Sequence, residues 1–346
     1  MMVVFGFVAV LAAIPVVAVV LLWIVYAPVV AKRLADMPWF PSRRHGVTPD
    51  EYPEGIFESE PVWLETEDGQ QLAATYLPTT VARARGIVIF CHEVRGSRWS
   101  ALTFTGGLRD AGFDVLTFDF RNHGQSSPQP SWRSLPWATD CEATDIRAAI
   151  DWCARRHPSD AAQIILFGLS RGASAAFCVG AGDPRVQALV LDSMVPTEDV
   201  QLYFLKRFMY HHVPAWLPLA KLPDWLLRMC VFWANRIIAR EHGRAVLPIS
   251  RVAPKVCKPT LVIHGGRDVF APLETVCQLR KEMRVRPRMW VISQAKHNET
   301  VHEVGEEYRR RVTRFLLRHA QAPQEVVPAA YAERLSYELV PSTAGQ

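Results

Sequence analysis

A chain of 346 residues, 49% hydrophobic and 21% charged, has ordinary globular composition and enough apolar content to bury a core, which excludes a disordered or low-complexity protein. Its net charge of +5 comes from 39 basic and 34 acidic residues scattered along the chain, without the dense basic stripe of a nucleic-acid footprint, and suits an anionic lipid surface better. The seven cysteines are odd in number and form no C-x-x-C pair, which argues against structural zinc and for a reducing compartment.

Residues 1–31 contain no charged side chain and are almost wholly Val, Ala, Leu, Ile and Phe. About 20 such residues span a bilayer as a helix, so the run predicts a transmembrane anchor. Pro15 lies near its middle, where membrane helices tolerate it, and Trp23 and Tyr26 fall where an aromatic belt would sit. The alternative, a cleaved signal peptide, calls for a basic start, and no Lys or Arg precedes residue 32. Lys32, Arg33, Arg43 and Arg44 follow the run, so the positive-inside rule predicts a single-pass protein whose C-terminal side is cytoplasmic. Residues 32–59, rich in Pro and charge, read as a linker.

From residue 60 the pattern becomes that of a folded domain. Residues 61–78 read as a hairpin around Asp68-Gly69, a good tight-turn pair. Apolar strands at 86–90, 113–120, 163–167, 186–191, 260–264 and 289–292 then alternate with helices at 99–111, 138–156 and 299–319. Strands buried on both faces, with helices between them, predict an α/β fold with a mostly parallel, doubly wound sheet over residues 60–320. Residues 321–346 lack a core-forming pattern and read as a loosely docked tail.

The chemistry begins at Gly168-Leu169-Ser170-Arg171-Gly172, which follows the apolar run Ile164–Phe167 and opens a helix of small residues. A G-x-S-x-G turn between strand and helix holds its serine in a strained, presented conformation, and Gly168 and Gly172 leave room for the turn. The residue after the serine, Arg171, can donate its backbone N–H to an oxyanion at the helix start.

On these residues the chain resembles the α/β-hydrolase superfamily over roughly 60–319, and four further segments match in chain order. The loop Cys91-His92-Glu93-Val94-Arg95-Gly96 is similar to the family's oxyanion loop, which implies that the Glu93 backbone N–H is the second donor. Glu93 stands where glycine is usual. Dienelactone-hydrolase-like members also carry an acid in this loop, so its carboxylate either gates the serine or turns toward Arg95 or Arg98. Asp119-Phe120-Arg121-Asn122-His123-Gly124 resembles a structural loop of esterases, lipases and serine aminopeptidase-like members, which implies an ordering role for His123. Gly265-Gly266-Arg267-Asp268 matches the position of the triad acid, with Asp192 as the competing acid. His297, after the strand at 289–292, matches the base, and His302 is the lesser alternative.

The resemblance therefore implies a Ser170, His297, Asp268 triad acting through an acyl-enzyme, with no metal or organic cofactor. Residues 196–254, rich in Phe, Trp and Tyr with interleaved Lys and Arg, correspond to a helical cap insertion that selects substrate. Helical spacing of aromatics is more often core than binding site, but a basic aromatic helix can also lie on a membrane. The expected activity is hydrolysis of a hydrophobic, lipid-like acyl ester. A peptidase or thioesterase on the same triad, and a catalytically idle scaffold for membrane-localised interaction, stand as alternatives.

Overall fold

The computed structural model describes residues 26–37, 59–129, 135–157, 163–212 and 222–320. One eight-stranded sheet organises them: β1 (Glu60–Glu65), β2 (Gln71–Leu77), β3 (Gly86–Cys91), β4 (Phe113–Phe118), β5 (Ile164–Leu169), β6 (Val186–Asp192), β7 (Thr260–Gly265) and β8 (Arg288–Ile292), in the spatial order 1-2-4-3-5-6-7-8. The β1–β2 hairpin is antiparallel, β2 runs antiparallel to β4, and all later pairings are parallel. The hairpin turn falls at Asp68-Gly69, with Gly69 at φ 79°. The doubly wound parallel sheet expected from the strand pattern is thus present, with β2 turned against it.

The alternation of side chains along the strands divides the core into two layers. Ile87 and Ile89 of β3 with Ile164 and Leu166 of β5 face one layer, and Val88 and Phe90 with Ile165, Phe167 and Leu169 face the other. The first is covered by α3 (Asp140–Arg156), α4 (Arg171–Gly182), the short α7 (Ile249–Val252) and α8 (Leu273–Glu282). The second is covered by α2 (Ser100–Phe104) and by α9 (Thr300–Val304) and α10 (Glu306–His319). Two of these helices differ from the sequence expectation. The helix expected at 99–111 ends at Phe104, because Gly106-Gly107 follows and Gly107 takes φ 83°. The helix expected at 299–319 is broken at Gly305, with φ 46° and ψ −113°.

A third apolar cluster lies beyond the C-terminal ends of the strands. It joins α5 (Thr197–His212) and α6 (Asp224–His242) of the insertion to Trp137, Phe270 and a helix at 26–35, α1. Ala27, Val30, Ala31, Leu34 and Ala35 of α1 are buried in this cluster. The expected boundary between anchor and linker, at residues 31 and 32, therefore falls inside a packed helix. The end of the apolar run is used against protein, because a side chain that suits hydrocarbon suits a protein core equally well. Among the described residues no helix is long and apolar enough to cross a membrane. Residues 1–25, which carry most of the expected anchor, lie outside the described residues, as do most of the expected linker and the whole tail.

The loops that carry the site are fastened by buried ion pairs. Arg121, with its side chain 1% exposed, bonds Asp145 on α3 through Nε at 2.8 Å and Nη2 at 2.6 Å, and Asp68 of the hairpin turn through Nη1 at 2.6 Å. Asp119 fixes Arg98 by an ion pair and by accepting its backbone N–H. Removing one partner of a buried pair leaves an uncompensated charge, whereas an exposed carboxylate can rehydrate. Arg121→Ala is expected to lower stability by about 3 kcal/mol and Asp68→Ala, at a half-exposed site, by about 1 kcal/mol or less. Chemical denaturation of the two variants checks the contrast.

Candidate active site

Chain reversal of the strand order places β3 and β5 side by side, with their following loops on opposite sides of one crevice, the position where open α/β sheets bind ligands. Ser170 sits between β5 and α4 at φ 52° and ψ −116°. That conformation is costly for a residue with a Cβ and is held here by its surroundings. A Cβ on Gly172 would stand 2.2 Å from the Cys91 carbonyl oxygen, and one on Gly168 would stand 2.3 Å from the Ala173 Cα. Both expected elbow glycines are therefore required by close backbone approach, and the Ser170 N–H is fixed on the Asp192 carbonyl at 2.9 Å.

The three residues expected to form the triad meet. Ser170 Oγ is 2.8 Å from His297 Nε2, and His297 Nδ1 is 2.6 Å from Asp268 Oδ2. The carboxylate can only accept, so Nδ1 carries the proton and Nε2 is left to accept the Ser170 hydroxyl. The other carboxylate oxygen, Asp268 Oδ1, accepts the N–H groups of Phe270 at 2.9 Å and Ala271 at 2.8 Å. Burial raises the Asp268 pKa, but the charge and hydrogen bond of His297 outweigh it, and the net shift is downward. Ser170 is 4% exposed and the His297 side chain 13%, so the couple is largely withdrawn from solvent.

The rival residues stand elsewhere. Asp192 accepts hydroxyl hydrogen bonds from Ser193 at 2.9 Å, Tyr308 at 2.7 Å and Thr300, and burial pushes its carboxyl up to about 6. It braces β6 against α9 and α10, with no hydrogen bond to His297. His302 is exposed on α9. His123 donates from Nδ1 to the Arg121 carbonyl and accepts from Arg171 at Nε2. Burial first, and the Arg171 charge second, push its pKa down to about 4, so it is a neutral ordering residue as the loop resemblance implies.

Glu93 is 3% exposed. Its Oε1 accepts the Ser100 hydroxyl at 3.1 Å while Oε2 has no hydrogen-bond partner. Arg98, one of the two arginines it was expected to meet, is paired with Asp119 instead. Burial pushes the Glu93 carboxyl up to about 7, against the pull of its own backbone N–H, of Ser100 and of the nearby His297. The preceding residue, His92, locks this loop to the next: its Nδ1–H donates to the Glu93 carbonyl at 2.7 Å and its Nε2 accepts the Phe120 N–H at 3.0 Å.

Several members of the site were not singled out in the sequence. The Arg171 side chain, 1% exposed, runs under the elbow to Glu142 at 3.5 Å, His123 Nε2 at 3.2 Å and the Leu135 carbonyl at 3.2 Å. The Thr139-x-x-Glu142 capping box at the start of α3 was a legible signal for Glu142. Phe270 and His297 meet edge to face, with centroids 5.1 Å apart, and Phe270 stacks on Trp137 at 6.3 Å. Residues around Trp137 have no periodic pattern that marks them.

The family profile described as alpha/beta hydrolase fold matches residues 86–239. An uncharacterized Mycobacterium tuberculosis protein is 30% identical over 285 residues, covering 81% of this chain and 86% of that protein. The chain belongs to the α/β-hydrolase family. Among solved structures, a Pyrococcus furiosus esterase is 25% identical, with a TM-score of 0.58 and coverage of 81% of this chain and 99% of the esterase. A dienelactone hydrolase from Anabaena variabilis, 17% identical with a TM-score of 0.51, shares the fold over 77% of this chain. The likeness to the Pyrococcus furiosus esterase, with the family match, supports a hydrolase activity for this chain.

Glu93 gives a test by pH. Its carboxyl ionises near 7 in the folded protein against the usual 4.5, so the folded state holds the proton more tightly, and the stability this confers is lost as pH rises from 4.5 through 7. Glu93→Gln keeps a neutral side chain at every pH. Its stability relative to the parent is expected to be near equal below pH 4.5 and to gain on the order of 2 kcal/mol above pH 7, as read by thermal or urea unfolding across that range.

Proposed function

We propose that this α/β-hydrolase is a serine hydrolase that cleaves an acyl ester, with Ser170 as nucleophile, His297 as base and Asp268 as the acid orienting it. The observation that carries the reading is the continuous relay from the Ser170 hydroxyl through both nitrogens of His297 to Asp268, with the serine held in the strained elbow conformation. His297 Nε2 takes the hydroxyl proton as Ser170 Oγ attacks the ester carbonyl carbon. The oxyanion is received by the backbone N–H groups of Arg171, at the start of α4, and of Glu93. The alcohol leaves with the proton from His297, and water, deprotonated by the same nitrogen, releases the acid and restores the serine. Asp268, with its lowered pKa, stabilises the imidazolium formed in each half-reaction. A hydrophobic acyl group is favoured, because the insertion over the site presents Phe204 to Phe270 beside His297, with centroids 6.3 Å apart.

A second element of the reading concerns Glu93. A carboxylate beside its own N–H and close to His297 competes with an oxyanion for the same donor, so ionised Glu93 acts as a gate on Ser170. Glu93→Gln is expected to raise kcat/KM above pH 7 and to leave it little changed below pH 6; equal pH profiles of parent and variant sink the gate. The apolar, uncharged run at 1–25 supports a membrane anchor, and Lys32, Arg33, Arg43 and Arg44 after it support a catalytic domain on the cytoplasmic side. Retention in the membrane pellet after alkaline carbonate, with the domain protected in intact cells, is the expected result.

The triad is tested by labelling detergent-solubilised protein with a fluorophosphonate probe, which reacts with an activated serine. Wild type is expected to label, Ser170→Ala to lose both labelling and about 10³-fold or more of ester hydrolysis, and Asp268→Asn to lose a comparable factor while keeping its folded circular-dichroism spectrum. If folded wild type fails to label but Glu93→Gly labels, the serine is gated by Glu93; if neither labels, the reading is overturned in favour of an idle scaffold.

A further inference from the structure

Helix α6 is apolar on two sides. Leu227, Cys230, Val231, Ala234 and Ile238 turn into the third apolar cluster. Trp225, Met229, Phe232 and Trp233 are exposed instead, Trp225 by 62%. At about 3.6 residues per turn these four fall within one arc of roughly 100°, and the exposed Arg236 and Arg240 continue the same stripe toward the C-terminal end of the helix. A helix apolar all round is ordinarily buried all round. One that shows a contiguous apolar face to solvent carries an interaction site there.

Charge and ring type narrow what covers the stripe. The carboxylates of α6, Asp224 and Glu241, lie outside the arc, and Asp224 is held by Lys206 of α5 at 2.6 Å. Arg228, at the border of the arc, is taken by Asp199 at 2.6 Å. Arg236 and Arg240 form no ion pair among the described residues. A further cation, the exposed Arg251 of α7, lies over the Phe232 ring, 5.6 Å from its centroid. The stripe thus offers indole and phenyl rings and guanidinium groups, with no carboxylate among them. A second copy of the chain would gather the cations of both copies without an acid in either arc to answer them. An anionic lipid surface answers both kinds of group, since Trp settles at headgroup depth and Arg meets lipid phosphates while its stem stays among apolar groups.

The place of α6 in the fold agrees with such a partner. Its buried side packs in the cluster that also holds Ala27, Val30, Ala31 and Leu34 of α1, and α1 continues directly from the uncharged apolar run 1–25. The insertion is therefore tied to the helix through which the domain is tethered to that run.

Resting on the membrane-anchor reading above for its tether, we infer that the exposed stripe of α6, formed by Trp225, Met229, Phe232 and Trp233 with Arg236 and Arg240, seats the insertion on a bilayer surface of anionic phospholipid. The rings enter the headgroup layer and the arginines pair with the lipid phosphates. The domain then stands in one orientation on the membrane instead of turning freely about its tether.

The experiment is hydroxyl-radical footprinting, read residue by residue by mass spectrometry, of the full-length chain reconstituted in vesicles of phosphatidylcholine alone and of an equal mixture of phosphatidylcholine and phosphatidylglycerol. Trp63 on β1, 59% exposed, is the accessible reference, and Trp137, 1% exposed, reports loss of fold. Oxidation of Trp225, Met229, Phe232 and Trp233 is expected to be about threefold or more slower on the mixed vesicles, with Trp63 unchanged; equal rates on the two vesicles overturn the assignment. Arg236→Glu combined with Arg240→Glu is expected to cancel the difference while Trp137 stays protected, and a folded double variant that keeps the full difference overturns it. Should the variant expose Trp137, wild type at about 1 M salt takes its place: screening is expected to remove about half of the difference or more, and a difference retained in full overturns the role of charge. Protection that deepens as protein per vesicle increases marks a second copy and overturns the lipid. Alkaline carbonate separates the two readings. A chain protected on mixed vesicles but released by carbonate loses the anchor and keeps the docking stripe, and a chain retained without protection keeps the anchor and loses the stripe.

Discussion

The contact on which the site depends is the one between the first turn of α4 and the end of β3. Gly172 lies so close to the carbonyls of Cys91 and His92 that no side-chain atom fits between them. This closeness sets three things at once. It forces the turn before α4 to be sharp, which puts Ser170 at positive φ; it brings the Arg171 N–H and the Glu93 loop to one side of the serine; and it leaves the Arg171 side chain to run beneath, into the body of the domain. Parallel pairing of β3 with β5, register Cys91 to Gly168, carries the two loops to the same height.

Around that contact the chain spends charge to hold backbone in place. Arg171 meets Glu142, Arg98 meets Asp119, and Arg121 meets both Asp145 and Asp68. None of these groups touches the Ser170 hydroxyl. Arg171 with Glu142 joins α4 to α3, Arg98 with Asp119 joins the loops after β3 and β4, and Arg121 ties the loop after β4 to α3 and to the hairpin turn; each pairing replaces the water that a buried charge would otherwise lose. The result is a floor whose donors and acceptors are already placed before a substrate arrives, the condition for stabilising charge without reorganisation.

The strands and the Ser170 elbow were legible because both rest on short-range rules, apolar runs of strand length and a glycine-framed turn between strand and helix, whereas Asp268 and His297 were placed only by resemblance to the family. What was less legible depends on contacts far apart in the chain. The role of Glu93 was left between two readings, since whether an acid is buried is decided by Ser100 and Gly96 around it, not by its neighbours in the motif. The pairing of Trp137 with Leu34 joins positions 103 residues apart. Helix α1 was read as the end of a membrane run because hydropathy reports that a side chain avoids water and does not report what replaces the water. The early end of α2 and the break between α9 and α10 follow from glycines whose backbone freedom is used there and is unused at other glycines of the same sequence.

The buried His123 and Glu93 pull the proton balance of the domain in opposite directions. His123 is held below its usual 6.5, at about 4, so the unfolded chain takes up its proton first and the fold weakens as acidity increases from 6.5 toward 4. Glu93 acts in the opposite sense, and the folded chain gains from it as acidity increases from 7 toward 4.5. Over the interval the two share, the two titrations compensate, so the pair changes stability less than either group alone would. Toward alkalinity His123 has already lost its proton and Glu93 still acts, and its cost falls on the loop that follows β3.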